Sequence, residues 1–151
     1  MSNPSIFRSS DLDALLARIR GLSPTAAAQW GKMAVAQMLA HCQVPLRVAT
    51  GEVKLPRGLL GKLFGGMAKK SLMKDEPFKR GLPTDPEFRV RDACDFPTEK
   101  GGLLTLVERL GRAGPGGLTK EPHPFFGALT PVEWDTLMWK HLDHHLRQFG
   151  A

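Results

Sequence analysis

The segment Thr130-Pro-Val-Glu-Trp-Asp-Thr-Leu-Met-Trp-Lys-His-Leu-Asp-His-His-Leu-Arg-Gln-Phe149 decides the fold. It opens with a threonine able to cap a helix, a proline suited to the first helical position and a glutamate three residues after the cap. These signals predict a helix over residues 130–149. At about 100° of turn per residue, Trp134, Met138, Leu142, Leu146 and Phe149 gather into one apolar stripe that needs a partner surface. His141 and His145 fall at the edge of that stripe, one turn apart, where two imidazoles can reach one ion. His144 turns towards the polar side, as a supporting or surface group.

Working outward, the same periodicity recurs. Leu12, Leu15, Leu16 and Ile19 predict a helix over 11–20, capped by Ser9 or Ser10 and stopped by Gly21. A second helix is predicted from near Thr25 or Trp30, taken as residues 26–48, with Val35, Met38, Leu39, Cys42 and Leu46 as its stripe and Pro45 as a bend. A third, over 97–111, follows the cap-and-proline signal Asp95-Phe-Pro97, although Gly101 and Gly102 weaken it. Between the second and third lies a long connection, Lys54 to Pro97, punctuated by Pro56, Pro77, Pro83 and Pro86. It contains a shorter amphipathic stretch, Gly58 to Leu72. Four helices with one long excursion predict an all-α, irregular four-helix bundle in a single domain spanning 1–151.

Composition fits this reading. With 42% hydrophobic and 24% charged residues over 151 positions, the chain has the balance of a folded globular domain. No apolar run approaches the roughly 18 residues of a membrane span, and Met1 to Asp11 lacks the apolar core of an export signal, so a soluble cytoplasmic protein is expected. Cys42 and Cys94 are too few for a disulfide framework and read as reduced thiols. The net charge of +6 concentrates between Lys54 and Arg80, but no nucleic-acid motif or stacking platform accompanies it, so no nucleic-acid partner is expected.

In the 58–72 stretch, Leu59, Leu60, Leu63, Phe64 and Met67 share one face with Lys62 and Lys69 opposite, while Lys70 and Lys74 break the segregation. The expectation is an apolar flap packed on the bundle, shielding Leu63 and Phe64 near the site, rather than stable membrane association.

The five histidines carry the chemistry. His41 is the only one in the second helix and flanks its stripe, which makes it the natural third ligand beside His141 and His145; a half-exposed surface histidine near Gln37 is the alternative. Three imidazoles leave coordination positions open, the pattern of a catalytic site, and zinc or nickel suits them best. His123, between Pro122 and Pro124, reads as part of a rigid turn. There is no nucleophile triad pattern and no phosphate-cradling glycine loop.

Trp30-Gly-Lys-Met33, Gln37-Met-Leu-Ala-His41, His123-Pro-Phe-Phe-Gly127, Leu129-Thr130, Glu133-Trp134 and Lys140-His-Leu-Asp-His-His-Leu-Arg-Gln-Phe149 together resemble the bacterial DinB/YfiT-like metalloenzyme superfamily, in a branch of unknown function. The resemblance covers most of the chain. It implies a four-helix bundle with one divalent metal on three histidines, carried over here to His41, His141 and His145. It also implies a small-molecule substrate, with a low-molecular-weight thiol such as glutathione, bacillithiol or mycothiol as co-substrate in some relatives. The expected function is a metal-dependent S-transferase or hydrolase; the alternative is a non-catalytic metal-binding or dimerising helical module of the stress response, and a homodimer is compatible with either.

Overall fold

The computed structural model describes residues 2–84, 88–90 and 93–151, and among these every regular element is helical. The helices are α1 (Ser9–Arg20), α2 (Val35–Ala49), α3 (Leu59–Leu72), α4 (Phe96–Ala113) and α5 (Pro131–Gln148), with a 3₁₀ turn, Gly114–Gly117, after α4. α2 packs on α4 and α5, and α1 on α4 and α5, which makes the expected bundle; α3 lies at its periphery with α5 as its main helical neighbour. The core is one cluster in which Leu15, Ile19, Met38, Leu39, Leu103, Leu110, Trp134, Met138 and Leu142 are almost wholly shielded. Pro86 of the long connection lies outside the described residues.

α5 follows from its sequence signals. Thr130 Oγ1 accepts the Glu133 N–H at 3.2 Å, and Glu133 Oε2 accepts the Thr130 N–H at 2.8 Å. Two otherwise unpaired donors are satisfied at the start of the helix, and Pro131 gives up no bond there. α4 begins in the same manner: Asp95 Oδ2 accepts the Thr98 N–H at 3.2 Å. Its weak point in the sequence has a packing reason, because a Cβ on Gly102 would sit 2.8 Å from Gln43 Oε1 of α2. The glycine is what lets α2 and α4 lie that close.

Three expectations need correction. α1 starts at Ser9 with Arg8 at the cap position, so neither Ser9 nor Ser10 caps it. The preceding chain is instead anchored through Asp135, which accepts the Ile6 N–H at 2.8 Å and the Ser5 hydroxyl at 2.5 Å. α2 starts at Val35, not near residue 26. Gly31 sits at φ +78°, in the left-handed region that ends helical progression, and Gln29 N–H donates to Gln148 O at 2.8 Å. Residues 26–34 therefore run as a non-helical strap tied to the end of α5.

The third correction concerns the 58–72 stretch, which is a full helix turned the other way. Leu63 is 65% exposed and Phe64 48% exposed, so they do not form a shielded flap. The buried side of α3 is Gly61, Gly65 and Leu72. Up to Met67 this helix meets the bundle through its backbone, with Leu59, Leu60, Leu63, Phe64 and Met67 outward.

Candidate metal centre

α2 and α5 bring three imidazoles to one point. His41 comes from the middle of α2 and is 4% exposed; His145 is 8% exposed and His141, one turn earlier on α5, is half-buried. The ring centroids form a nearly equilateral triangle: 4.9 Å from His41 to His141, 4.7 Å from His41 to His145 and 4.7 Å from His141 to His145. One ring nitrogen of each lies within 4.8 Å of the other two, and among the described residues no carboxylate or thiol joins the set. The half-exposed reading of His41 is thus set aside.

Hydrogen bonds select which nitrogen faces inward. His41 Nδ1 lies 2.8 Å from Phe88 O, and a carbonyl only accepts, so Nδ1 carries the proton and Nε2 keeps its lone pair. His145 Nδ1 lies 2.8 Å from Gln148 Oε1. The Gln148 amide is oriented in turn, because its Nε2 donates to Trp30 O at 2.8 Å. His145 therefore also points an Nε2 lone pair inward. Such carbonyl partners on the far nitrogen characterise metal-ligating histidines, fixing the tautomer and raising the basicity of the ligating nitrogen. Pro45 adds a local feature: having no N–H, it leaves the His41 carbonyl without its usual partner four residues on within the helix.

The arrangement can accept an ion. Two nitrogens at the zinc–imidazole distance of about 2.0–2.1 Å in a tetrahedral set stand about 3.3 Å apart. His41 Nε2 and His141 Nε2 are 3.0 Å apart, so that pair needs only a few tenths of an ångström. Electrostatics agree. Burial holds His41 below the ordinary imidazole range despite the Phe88 carbonyl, and His145 is lowered to about 3 by burial and the neighbouring His41. His141 is pushed well below that range by burial first and then by the His145 and His41 rings. Three neutral imidazoles at neutral pH are what a divalent cation requires.

The remaining histidines stand apart. His144 is half-buried against Trp30, with ring centroids 5.4 Å apart, outside the triangle, as its position on the wheel predicts. His123 is buried with Nδ1 accepting the Phe125 and Phe126 N–H groups at 2.9 and 3.2 Å, and its ring stacks on Phe88. It is the pin of the 123–127 turn; burial, then the Arg57 charge, lowers it to about 4.

The whole chain, residues 1–151, matches the family model described as "Protein of unknown function (DUF1569)". The chain belongs to the DUF1569 family. No curated protein and no solved structure matches it. In this DUF1569 chain the sequence reading missed three contributors to the site: Gln148, the Trp30 carbonyl and the Phe88 carbonyl. Gln148 had a signal, since it follows His145 by three residues on one helix face. The two carbonyls had none, because a main-chain oxygen supplied by a connecting segment leaves no trace in residue type.

Proposed function

We propose that this protein is a metal-dependent enzyme of the DinB/YfiT-like kind, acting in the cytoplasm, that uses His41, His141 and His145 to hold one zinc or nickel ion and transfers a low-molecular-weight thiol to a small electrophile. The observation that carries the reading is the pair of oriented imidazoles: His41 and His145 each spend Nδ1–H on a fixed acceptor and turn Nε2 towards the same point as His141. A merely structural histidine cluster has no need of that convergence.

When bound, a divalent ion on three imidazoles supplies Lewis acidity and open coordination positions, lowering the pKa of a thiol or a water that reaches it. The chain's own residues do the rest. Phe88 O and Gln148 hold two ligand rings in one tautomer, and the walls of α2 and α5 keep bulk water from His41 and His145. Half-buried His141 marks the accessible side. Cys42 is not the nucleophile, since it is fully buried against Met38 and burial raises its thiol far above the thiolate range; in this reading the sulfur comes from a small molecule. In the transfer, the thiol loses its proton to water, a sulfur–carbon bond forms and the carbon–leaving-group bond breaks. Hydrolysis is the close variant, with water in place of the thiol.

Turnover tests this. Protein loaded with zinc or nickel is assayed for thiol consumption with glutathione, bacillithiol or mycothiol and an aryl halide, and in parallel for ester hydrolysis. Activity that needs the metal and disappears in His145→Ala is the expected result. Tight metal binding with no turnover in either assay would replace the enzyme with a metal-binding module.

A further inference from the structure

α3 presents an apolar ridge to water. Leu59, Leu60, Leu63 and Met67 are 72, 66, 65 and 67% exposed, and Phe64 lies beside them on the same arc. Residues 59, 63 and 67, and 60, 64 and 67, follow helical spacing, so the five side chains are contiguous. Scattered exposed leucines are ordinary; a continuous ridge of five large apolar groups is not.

The packing underneath fixes this exposure. A Cβ on Gly65 would lie 2.2 Å from Phe125 O, and one on Gly61 would lie 2.9 Å from the same oxygen. Only the glycine side of α3 can approach the 125–126 backbone, so the helix has no room to roll its leucines inward. Lys69 Nζ ties the helix to Ala128 O at 3.2 Å, and Lys140 Nζ to Leu72 O at 2.6 Å.

Charge indicates what covers the ridge. Residues 53–74 contain Lys54, Arg57, Lys62, Lys69, Lys70 and Lys74 and no aspartate or glutamate. All but Lys69 are exposed. Along α3 the apolar groups occupy the first turns, up to Met67, and the lysines Lys69 and Lys70 the last. Lys70, which shares the apolar arc, can carry its stem along an acyl surface and its ammonium into the headgroups. A second copy of the chain would bring two such basic faces together, so like charge opposes self-association. With 14 residues α3 is too short to span a bilayer, and no helix among the described residues is long and apolar enough to cross one.

We propose that α3 is an interfacial membrane-binding helix that docks the protein reversibly on an anionic lipid surface, with Leu59, Leu60, Leu63, Phe64 and Met67 in the headgroup–acyl boundary and the exposed Lys62 and Lys70 on the phosphates. The expectation of no stable membrane association rests on Lys70 and Lys74 breaking the segregation of the helix and on a packed flap in its place; the exposure of Leu63 and Phe64 removes that flap. The proposal does not depend on the metal reading.

The test is co-sedimentation of the full chain with vesicles of phosphatidylcholine alone, and of phosphatidylcholine with phosphatidylglycerol as about a third of the lipid. Binding is expected to the anionic vesicles only, weakening as salt is raised. Lys62→Ala and Lys70→Ala should each weaken it about fivefold. The double substitution Leu63→Ser with Phe64→Ser should weaken it at least about tenfold. All four positions face solvent, and circular dichroism verifies that each variant is folded. No vesicle binding, equal binding to both vesicle types, or binding untouched by the variants would overturn the proposal. So would a dimer in sedimentation velocity that disperses in the double variant without any vesicle binding, or binding to polyglutamate but not to vesicles.

Discussion

Replacing Gln148 by alanine removes the acceptor that holds His145 Nδ1–H at 2.8 Å and the donor that satisfies Trp30 O at 2.8 Å. Gln148 is 4% exposed, so water does not readily replace it. The buried His145 Nδ1–H then loses its partner, at about 1–3 kcal/mol, together with the bond that selects its tautomer, and the part-buried Trp30 O loses its donor. Partners of this kind on metal-ligating histidines are worth about 10–100-fold in affinity. Gln148→Ala should therefore weaken zinc binding by that factor while all three ligands remain. Gln148→Glu separates positioning from packing: its carboxylate still accepts from His145 Nδ1–H but cannot donate to Trp30 O. Affinity should recover in Gln148→Glu although stability stays below that of the native chain. Zinc competition against a chromogenic chelator, read beside urea unfolding of the metal-free protein, distinguishes the two effects. An affinity for Gln148→Ala within about threefold of the native value would refute the claim that this side chain orients a ligand.

Two further outcomes follow from the packing and the buried imidazoles. Burial holds His145 near 3 and His123 near 4, and lowers His41 and His141 as well, whereas the unfolded chain takes up protons near the ordinary value of about 6.5. Stability of the metal-free protein should be complete above that value and fall as pH descends from it towards 4, because protons bind the unfolded state preferentially; a urea midpoint unchanged between about pH 7 and pH 5 would contradict this. For the same reason, proton competition with the metal should begin below about pH 6.5 rather than at it. In α3, Gly65→Ala places a methyl 2.2 Å from Phe125 O, and overpacking of this kind costs about 1–3 kcal/mol. Amide exchange over residues 59–72 should accelerate, and protection equal to that of the native chain would show that α3 does not rest on the 125–126 backbone.

Where the sequence succeeded and where it failed has a physical pattern. α5 was legible because its start is governed by contacts within four residues, Thr130 with Glu133, and its stripe by a fixed rotation per residue. The His141–His145 pair shared that advantage. The start of α2 was not legible: the strap of residues 26–34 is held by Gln29 to Gln148 O and by Gln148 to Trp30 O, pairings across more than a hundred residues that no local signal encodes. α3 was recognised as amphipathic, yet its orientation was inverted. The rule that large apolar residues go inside gave way to the close backbone approach that only Gly61 and Gly65 permit.

The central claim is that His41, His141 and His145 form one metal site, and its most direct test is the metal content and affinity of the tag-free chain beside four single variants. One zinc or nickel ion per chain is expected. Affinity should fall by more than about 100-fold in each of His41→Ala, His141→Ala and His145→Ala, and by less than about tenfold in His144→Ala, whose ring lies outside the triangle. Equal affinity in the native chain and the three ligand variants, or a loss on His144→Ala as large as theirs, would contradict it.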